Sequence, residues 1–265
     1  MADFFRYETV DADASDTGRP LAALRAGELH AVLVRGVYPA AQMPQAVERL
    51  EANTPGFVRS SFPDAFKAFF YGLNLNLASD LDTYFAAEPA FRASLTGFLD
   101  IERRVTEVLS RLDTCSYGAA PGPGDQRYFF TTFRAHATGG FIPPHFDNES
   151  AVRPSYRHLR TLIKPSIFSF VLAFSRAEAG GALEFFNLTA EDHAEAFRNI
   201  DGPAPPPSVE DHEKVSIRLA PGDMILVNSG GYLHRVTPVE GPRTRWTACS
   251  FMAESETGGH VHCWG

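Results

Sequence analysis

The chain has few cysteines, no long apolar run and no excess of positive charge, and each lack removes a class of protein. Cys115, Cys249 and Cys263 are the only three cysteines in 265 residues, odd in number and far apart. That excludes a disulfide framework and fits a reducing compartment. No stretch approaches the roughly 18 uninterrupted apolar residues of a membrane helix. The opening MADFFRYETVDADASD has no basic segment leading into an apolar one, so no secretory signal is expected. These features together point to a cytoplasmic protein without a membrane partner. Lys and Arg number 24 against 32 Asp and Glu, a net charge of −8. Without a basic footprint, nucleic acid is not an expected partner. An acidic field also gives an anionic ligand no long-range attraction, so such a ligand needs locally placed Arg or Lys. No internal repeat appears, and the one low-complexity tract is DGPAPPPS at 201–208.

Apolar residues make up an ordinary 44%, and 22 of the residues are Phe. This length and composition suit one sizeable core with an aromatic interior or pocket, here read as a single catalytic domain over 1–265. Residues 1–120 read mainly as helices. AAQMPQAVERLEA (40–52) and the run 88–112 space their apolar residues by three and four. In the second run Phe91, Leu95, Leu99, Ile101, Val105, Val108 and Leu109 form one stripe. ELHAVLVRG (28–36) reads as an early strand, and the aromatic, Asn-rich FFYGLNLNLASD (69–80) as a candidate lid. After PGPGDQ (121–126) the texture changes to short β-like runs: RYFFTTFRAH, GGFIPPHFD, SIFSFVLAFS, GALEFFN, VSIRLA, DMILVN and RWTACSFMA. Gly, Pro and Asp turns separate them, the rhythm of a sandwich or barrel. A helical insertion at about 188–207 (LTAEDHAEAFRNI and the Pro-rich linker) interrupts the core, which spans 121–255. Residues 256–265 read as a tail or edge strand, although His260, His262 and Cys263 in HVHCWG have metal-like spacing. The expected class is mainly β with flanking helices, the first 120 residues buttressing the core.

In IPPHFDNES, His145 and Asp147 stand two apart on a β-like run, where i and i+2 share a face. With nine histidines in the chain, a chance H-x-D is no surprise. His193 and Glu195 have the same spacing, but in a helical segment, where the two side chains diverge by about 200°. A third ligand is available at His234, after a Gly-Gly turn and before another extended run. Two His and one carboxylate make the facial triad of non-haem iron(II) oxygenases, which leaves coordination positions open. Arg243 and Arg245 follow His234 by nine and eleven residues. An arginine on a strand entering the core calls for an anion, and a carboxylate suits its fork. Thr247 lies on the same face as Arg245, and Arg134 and His136 share a face of the strand before H-x-D. Arg153, Arg157 and Arg160 cluster just downstream of it.

The order of these pieces resembles that of the iron(II)/2-oxoglutarate-dependent dioxygenases over residues 127–253. It runs H-x-D, then G-G-x-L-x-F at Gly180, Gly181, Leu183 and Phe185, then P-G-D, then His234, then RWTACSF. The resemblance implies a double-stranded β-helix, the jelly-roll or cupin-like core, with iron(II) on His145, Asp147 and His234. It also implies 2-oxoglutarate and O2 as co-substrates, succinate and CO2 as co-products, and Arg245 with Thr247 on the far carboxylate of 2-oxoglutarate. Arg243 is the alternative anchor, and His136 sits where many relatives carry a Tyr near the co-substrate. A finer resemblance is to a bacterial group that hydroxylates small amino-acid derivatives and includes halogenating relatives. Those relatives replace the carboxylate ligand with Gly or Ala to admit chloride, so Asp147 implies hydroxylation of a small molecule. Arg157, then Arg153 and Arg134, are the candidates for a substrate carboxylate. Desaturation, cyclisation or epimerisation by the same chemistry, a peptide hydroxylase, and a non-catalytic metal-binding jelly roll are the other readings.

Overall fold

Two strands without a solvent face fix the centre of the fold. FSFVLA at Phe168–Ala173 and MILV at Met224–Val227 are buried at every position, as strands covered on both sides must be. The computed structural model, which describes residues 4–14, 18–60, 63–96, 99–148, 153–194 and 208–265, sets these two strands side by side. In chain order the strands are β1 (Tyr7–Asp11), β2 (Ala31–Arg35), β3 (Arg59–Ser60), β4 (Ala68–Tyr71), β5 (Ser116–Ala119), β6 (Thr132–His136), β7 (Ile142–His145) and β8 (Phe168–Ala173). There follow β9 (Ala179–Gly180), β10 (Leu183–Thr189), β11 (Lys214–Ile217), β12 (Met224–Val227), β13 (Tyr232–Val236), β14 (Val239–Glu240), β15 (Arg245–Glu254) and β16 (His260–Trp264). The helices are α1 (Pro20–Arg25), α2 (Met43–Asn53), α3 (Leu81–Thr96), α4 (Ile101–Arg111) and α5 (Ala190–His193).

One large sheet runs β1-β2-β12-β8-β15-β6-β4-β3, and β15 is long enough to pair with β6 at its start and β16 at its end. A smaller sheet, β11-β10-β13-β7, faces it. Phe70, Val171, Ala173, Phe185, Val227 and Val236 pack in the space between. The outer face of the large sheet carries Trp246, Ala248, Val32 and Val34, which share a core with Leu21, Leu50, Val105 and Val108 of the helices. This is the expected jelly roll with helices on one side. Because side chains alternate along β15, Arg245, Thr247 and Cys249 turn inward while Trp246 and Ala248 turn to the helices. Among the described residues no helix is long and apolar enough to cross a membrane.

Three stretches differ from their expected form. The first 120 residues supply five strands as well as helices, and β1 to β4 extend both edges of the large sheet. FFYGLNLNLASD is therefore built into the sheet and is not a lid: β4 lies along β6, Phe70 and Leu75 are buried, and the buried Asn74 accepts the N–H of Asn76 in a tight turn. Its Leu-Asn alternation belongs to that turn. The stripe over 88–112 is divided between α3, which begins earlier at Leu81, and α4, with Asp100 outside the helical region at φ −71°, ψ 68°. Residues 256–265 are not a tail. β16 lies between β15 and β5, with Cys263 and Trp264 fully buried, because Val261, Cys263 and Trp264 outweigh the two histidines. Of the helical insertion, α5 and the residue after it are described; Glu195 and the rest to 207 lie outside the described residues.

Two stability predictions arise here. The Trp264 indole N–H donates to the Tyr156 hydroxyl at 3.1 Å, and the ring meets that of Tyr156 edge-on. Trp264→Ala is expected to cost about 3–5 kcal/mol of unfolding free energy, read from urea denaturation. Asp113, whose side chain is fully shielded, accepts from Arg25 Nη2 at 2.6 Å and Nε at 3.0 Å, and from the Tyr117 hydroxyl. Burial by itself would raise its pKa, but Arg25 and Tyr117 outweigh that and hold the carboxyl below its ordinary value. A carboxyl depressed in the folded state contributes stability at pH values above its unfolded pKa, and that stability is lost as the pH falls through the folded one. Melting temperature should thus fall on acidification below about pH 4, and more shallowly in Asp113→Asn than in wild type.

Candidate metal centre

His145 closes β7 and His234 occupies the middle of β13, and the antiparallel register sets the two residues directly opposite each other. The prolines before His145 are tolerated because β7 is the edge of the smaller sheet, where a missing N–H leaves no partner unmet. Asp147 lies two residues beyond His145, fixed by its N–H donating to the Ser229 carbonyl at 3.0 Å. Each imidazole is pinned from behind. Nδ1–H of His145 donates to the Pro143 carbonyl at 2.8 Å, and Nδ1–H of His234 to that of Tyr232 at 3.0 Å. Both Nε2 lone pairs consequently face one point, each 3.5 Å from an oxygen of Asp147. The three donor atoms lie within 4.8 Å of one another, and no other group of three or more such residues occurs among the described residues. This backing of ring nitrogens by carbonyls is how proteins set a metal-binding histidine.

The electrostatics suit a cation. Burial, and next the proximity of His234, push the His145 pKa down to about 4. For Asp147 burial would raise the pKa, but His234 and His145 together bring it down to about 2. At neutral pH the site therefore offers a neutral imidazole and an ionised carboxylate, the forms that bind metal without first losing protons.

The large sheet supplies the opposite wall. Arg245 pairs across the ladder with His136, and Thr247 with Arg134, and all four line one cavity with His145, Asp147 and His234. Arg245 is 6% exposed, and among the described residues no carboxylate or carbonyl meets its guanidinium. Burial lowers its pKa to about 10, which leaves it cationic at neutral pH. His136 is fully buried with neither ring nitrogen partnered among the described residues, and burial holds its pKa well below the ordinary value. Arg243 is exposed, before β15 begins, so of the two sequence candidates only Arg245 faces the cavity. Arg157 is exposed and Arg153 half-buried at a tight turn, and neither lines the cavity. His260 and His262 lie on β16, with His260 paired to the Ser116 hydroxyl at 2.8 Å.

Gly181, the second glycine of the G-G-x-L-x-F motif, lies against the arginine. At φ +61° it holds a left-handed backbone that favours glycine, and a Cβ there would lie 3.0 Å from Cδ of Arg245, close enough that the arginine would have to shift. The aromatic backing was hidden too. Phe185 stacks on His234 at 6.0 Å and Phe5 on Phe185 at 4.8 Å, while the Tyr232 hydroxyl meets Nε2 of His30 at 3.0 Å. No local pattern links Phe5 or His30 to residues some 200 positions later. A larger hollow against α3 and α4 is lined by Glu88, Arg92, Glu102 and Arg127, but these pair among themselves.

A family model described as the carrier-protein-independent halogenase WelO5 matches residues 5–265. The chain belongs to the WelO5 family. That membership places it among the iron(II)/2-oxoglutarate-dependent oxygenases whose motif order it resembles. No curated protein sequence matches it. Of solved structures, an N-substituted L-amino acid dioxygenase from Burkholderia ambifaria AMMD aligns with a TM-score of 0.61 at 16% identity, over 95% of this chain and 92% of that one. A structure of such a dioxygenase from the same organism in complex with alpha-KG aligns with a TM-score of 0.59 at 17% identity, over 92% and 90%. These likenesses concern the fold. Among the described residues of this WelO5-family chain, the one group that could hold a metal combines two histidines with a carboxylate, that of Asp147.

Proposed function

We propose that this WelO5-family chain is an iron(II)- and 2-oxoglutarate-dependent hydroxylase of a small molecule, with residues 1–265 acting as one catalytic domain. The observation that carries the reading is the buried guanidinium of Arg245, unpaired among the described residues, in the same cavity as three side chains that could hold a metal. A buried cation without a counter-ion is costly unless a ligand brings the anion. His145, Asp147 and His234 would hold the iron, and Arg245, with Thr247 and His136, the far carboxylate of 2-oxoglutarate. When bound, iron and 2-oxoglutarate supply the O2-dependent oxidation of an unactivated C–H bond, with succinate and CO2 as co-products. The protein contributes position and an apolar wall: Ile142, Val171, Leu183 and Phe185 line the cavity on its inner face. Asp147 fills the place that a halide ligand would need, which favours hydroxylation over halogen transfer.

Anaerobic titration of the protein with iron(II) and 2-oxoglutarate tests this. A weak visible charge-transfer band should appear with saturable dependence on both, and succinate should form when air is admitted. A protein that gives no band under any loading order is not an oxygenase of this kind.

A further inference from the structure

The cavity contains one cationic group more than 2-oxoglutarate can use. We propose that it takes an anionic organic substrate, an apolar body bearing one carboxylate, and that Arg134 holds that carboxylate. The inference rests on the hydroxylase reading above and deepens it.

Arg134 stands in the middle of β6, inward-facing beside His136 and opposite Thr247. Its guanidinium lies over the Phe70 ring at 4.9 Å and near the Phe251 ring at 5.9 Å. Its Nε is buried with no hydrogen-bond partner, and among the described residues no carboxylate pairs with it. Aromatic faces steady such a cation but do not neutralise it. It lines the same cavity as His145, Asp147 and His234, so an anion seated on it would share that cavity with the three donors.

Charge counting turns this position into a substrate class. A divalent ion with Asp147 leaves one positive charge, and Arg134 and Arg245 raise that to three. The dianion 2-oxoglutarate reduces it to one. Arg245 would hold the distal carboxylate of that co-substrate and the three metal donors would hold the ion that binds its other end, which would leave Arg134 without an anion. A single unmatched positive charge on this half-buried arginine favours one monoanion over a neutral ligand of the same shape. The apolar lining, Ile142, Val171, Leu183 and Phe185 among it, suits a hydrocarbon body on that acid.

The test uses the holoprotein, loaded anaerobically with iron(II) and 2-oxoglutarate. Isovalerate, phenylacetate and N-acetyl-L-leucine are compared with their matched primary amides by calorimetry and by displacement of the charge-transfer band. The expected result is saturable binding of at least one acid, roughly tenfold or more tighter than its amide. In Arg134→Gln that preference should fall to near parity while 2-oxoglutarate affinity stays within about threefold, and Arg134→Lys should keep part of the preference. If none of the acids binds, or acid and amide bind alike to wild type, the proposal is overturned. A tenfold loss of 2-oxoglutarate affinity in Arg134→Gln would overturn it too, by placing Arg134 on the co-substrate. The wild-type acid-to-amide ratio carries the test even where a variant folds poorly. Absence of the band before any acid is added is a separate result, which sinks the hydroxylase reading and this proposal with it.

Discussion

Asp147→Ala is expected to weaken iron(II) binding by roughly 100-fold or more, and chloride should recover part of the loss. Outer-shell changes alone cost on the order of 10- to 100-fold in metal affinity, and this change removes one of three protein donors outright. Two histidines would remain, His234 buried and His145 half-buried, still held by the Tyr232 and Pro143 carbonyls with their Nε2 atoms aimed at the same point. The cavity would also lose the one carboxylate that lines it among the described residues while keeping Arg134 and Arg245, and an ion bound there would stand in a more positive surrounding. A small anion is then favoured at the vacated corner. The measurement is competition for iron(II) against a calibrated chelator, in matched solutions with chloride or with sulfate. Unchanged affinity in the variant would mean that Asp147 is not a ligand. A large loss without chloride rescue would keep Asp147 as a ligand but close the vacated corner to halide.

The parts of this site that were legible in the sequence are those where a local period decides the direction of a side chain. His145 and Asp147 share a face because they lie two apart at a strand end, and Arg134 and His136 for the same reason. His234 was accessible through motif order, and the structure gives the physical counterpart, a ladder register that sets it against His145. Parity could not separate Arg243 from Arg245, since both have the same phase. They differ because β15 starts only at Arg245, after Gly241 at φ +84° and the exposed Pro242. The arginines at 153 and 157 looked plausible because charge near a site in sequence is not charge near it in space. HVHCWG misled in the opposite way: two histidines suggest solvent, and the burial of Cys263 and Trp264 depends on β15 and β5, which are distant in the chain. Gly181 belongs to the same category, a glycine whose close approach to Arg245 appears only in the folded chain.

Arg245→Met should weaken 2-oxoglutarate binding by about 3 kcal/mol, on the order of 100-fold, while leaving the ligand-free protein as stable as wild type or more so. The two signs follow from one observation, a guanidinium 6% exposed without an anionic partner among the described residues. In the free protein the charge is desolvated and unrewarded, so a methionine of similar length removes a cost and adds apolar contact. In the complex the same substitution leaves the distal carboxylate of 2-oxoglutarate buried without its counter-ion, a loss of about 2–5 kcal/mol for a desolvated charge pair. Melting of the metal-free protein and anaerobic 2-oxoglutarate titration of the iron-loaded protein read the two effects separately. Arg243→Met supplies the control, since an exposed side chain outside the cavity should move neither quantity appreciably. A structural arginine would give the reverse pattern, with Arg245→Met losing stability and keeping co-substrate affinity. That pattern would remove the observation on which the oxygenase reading rests. Opposed signs in the two measurements, by contrast, are hard to obtain from any residue whose charge is not waiting for a ligand.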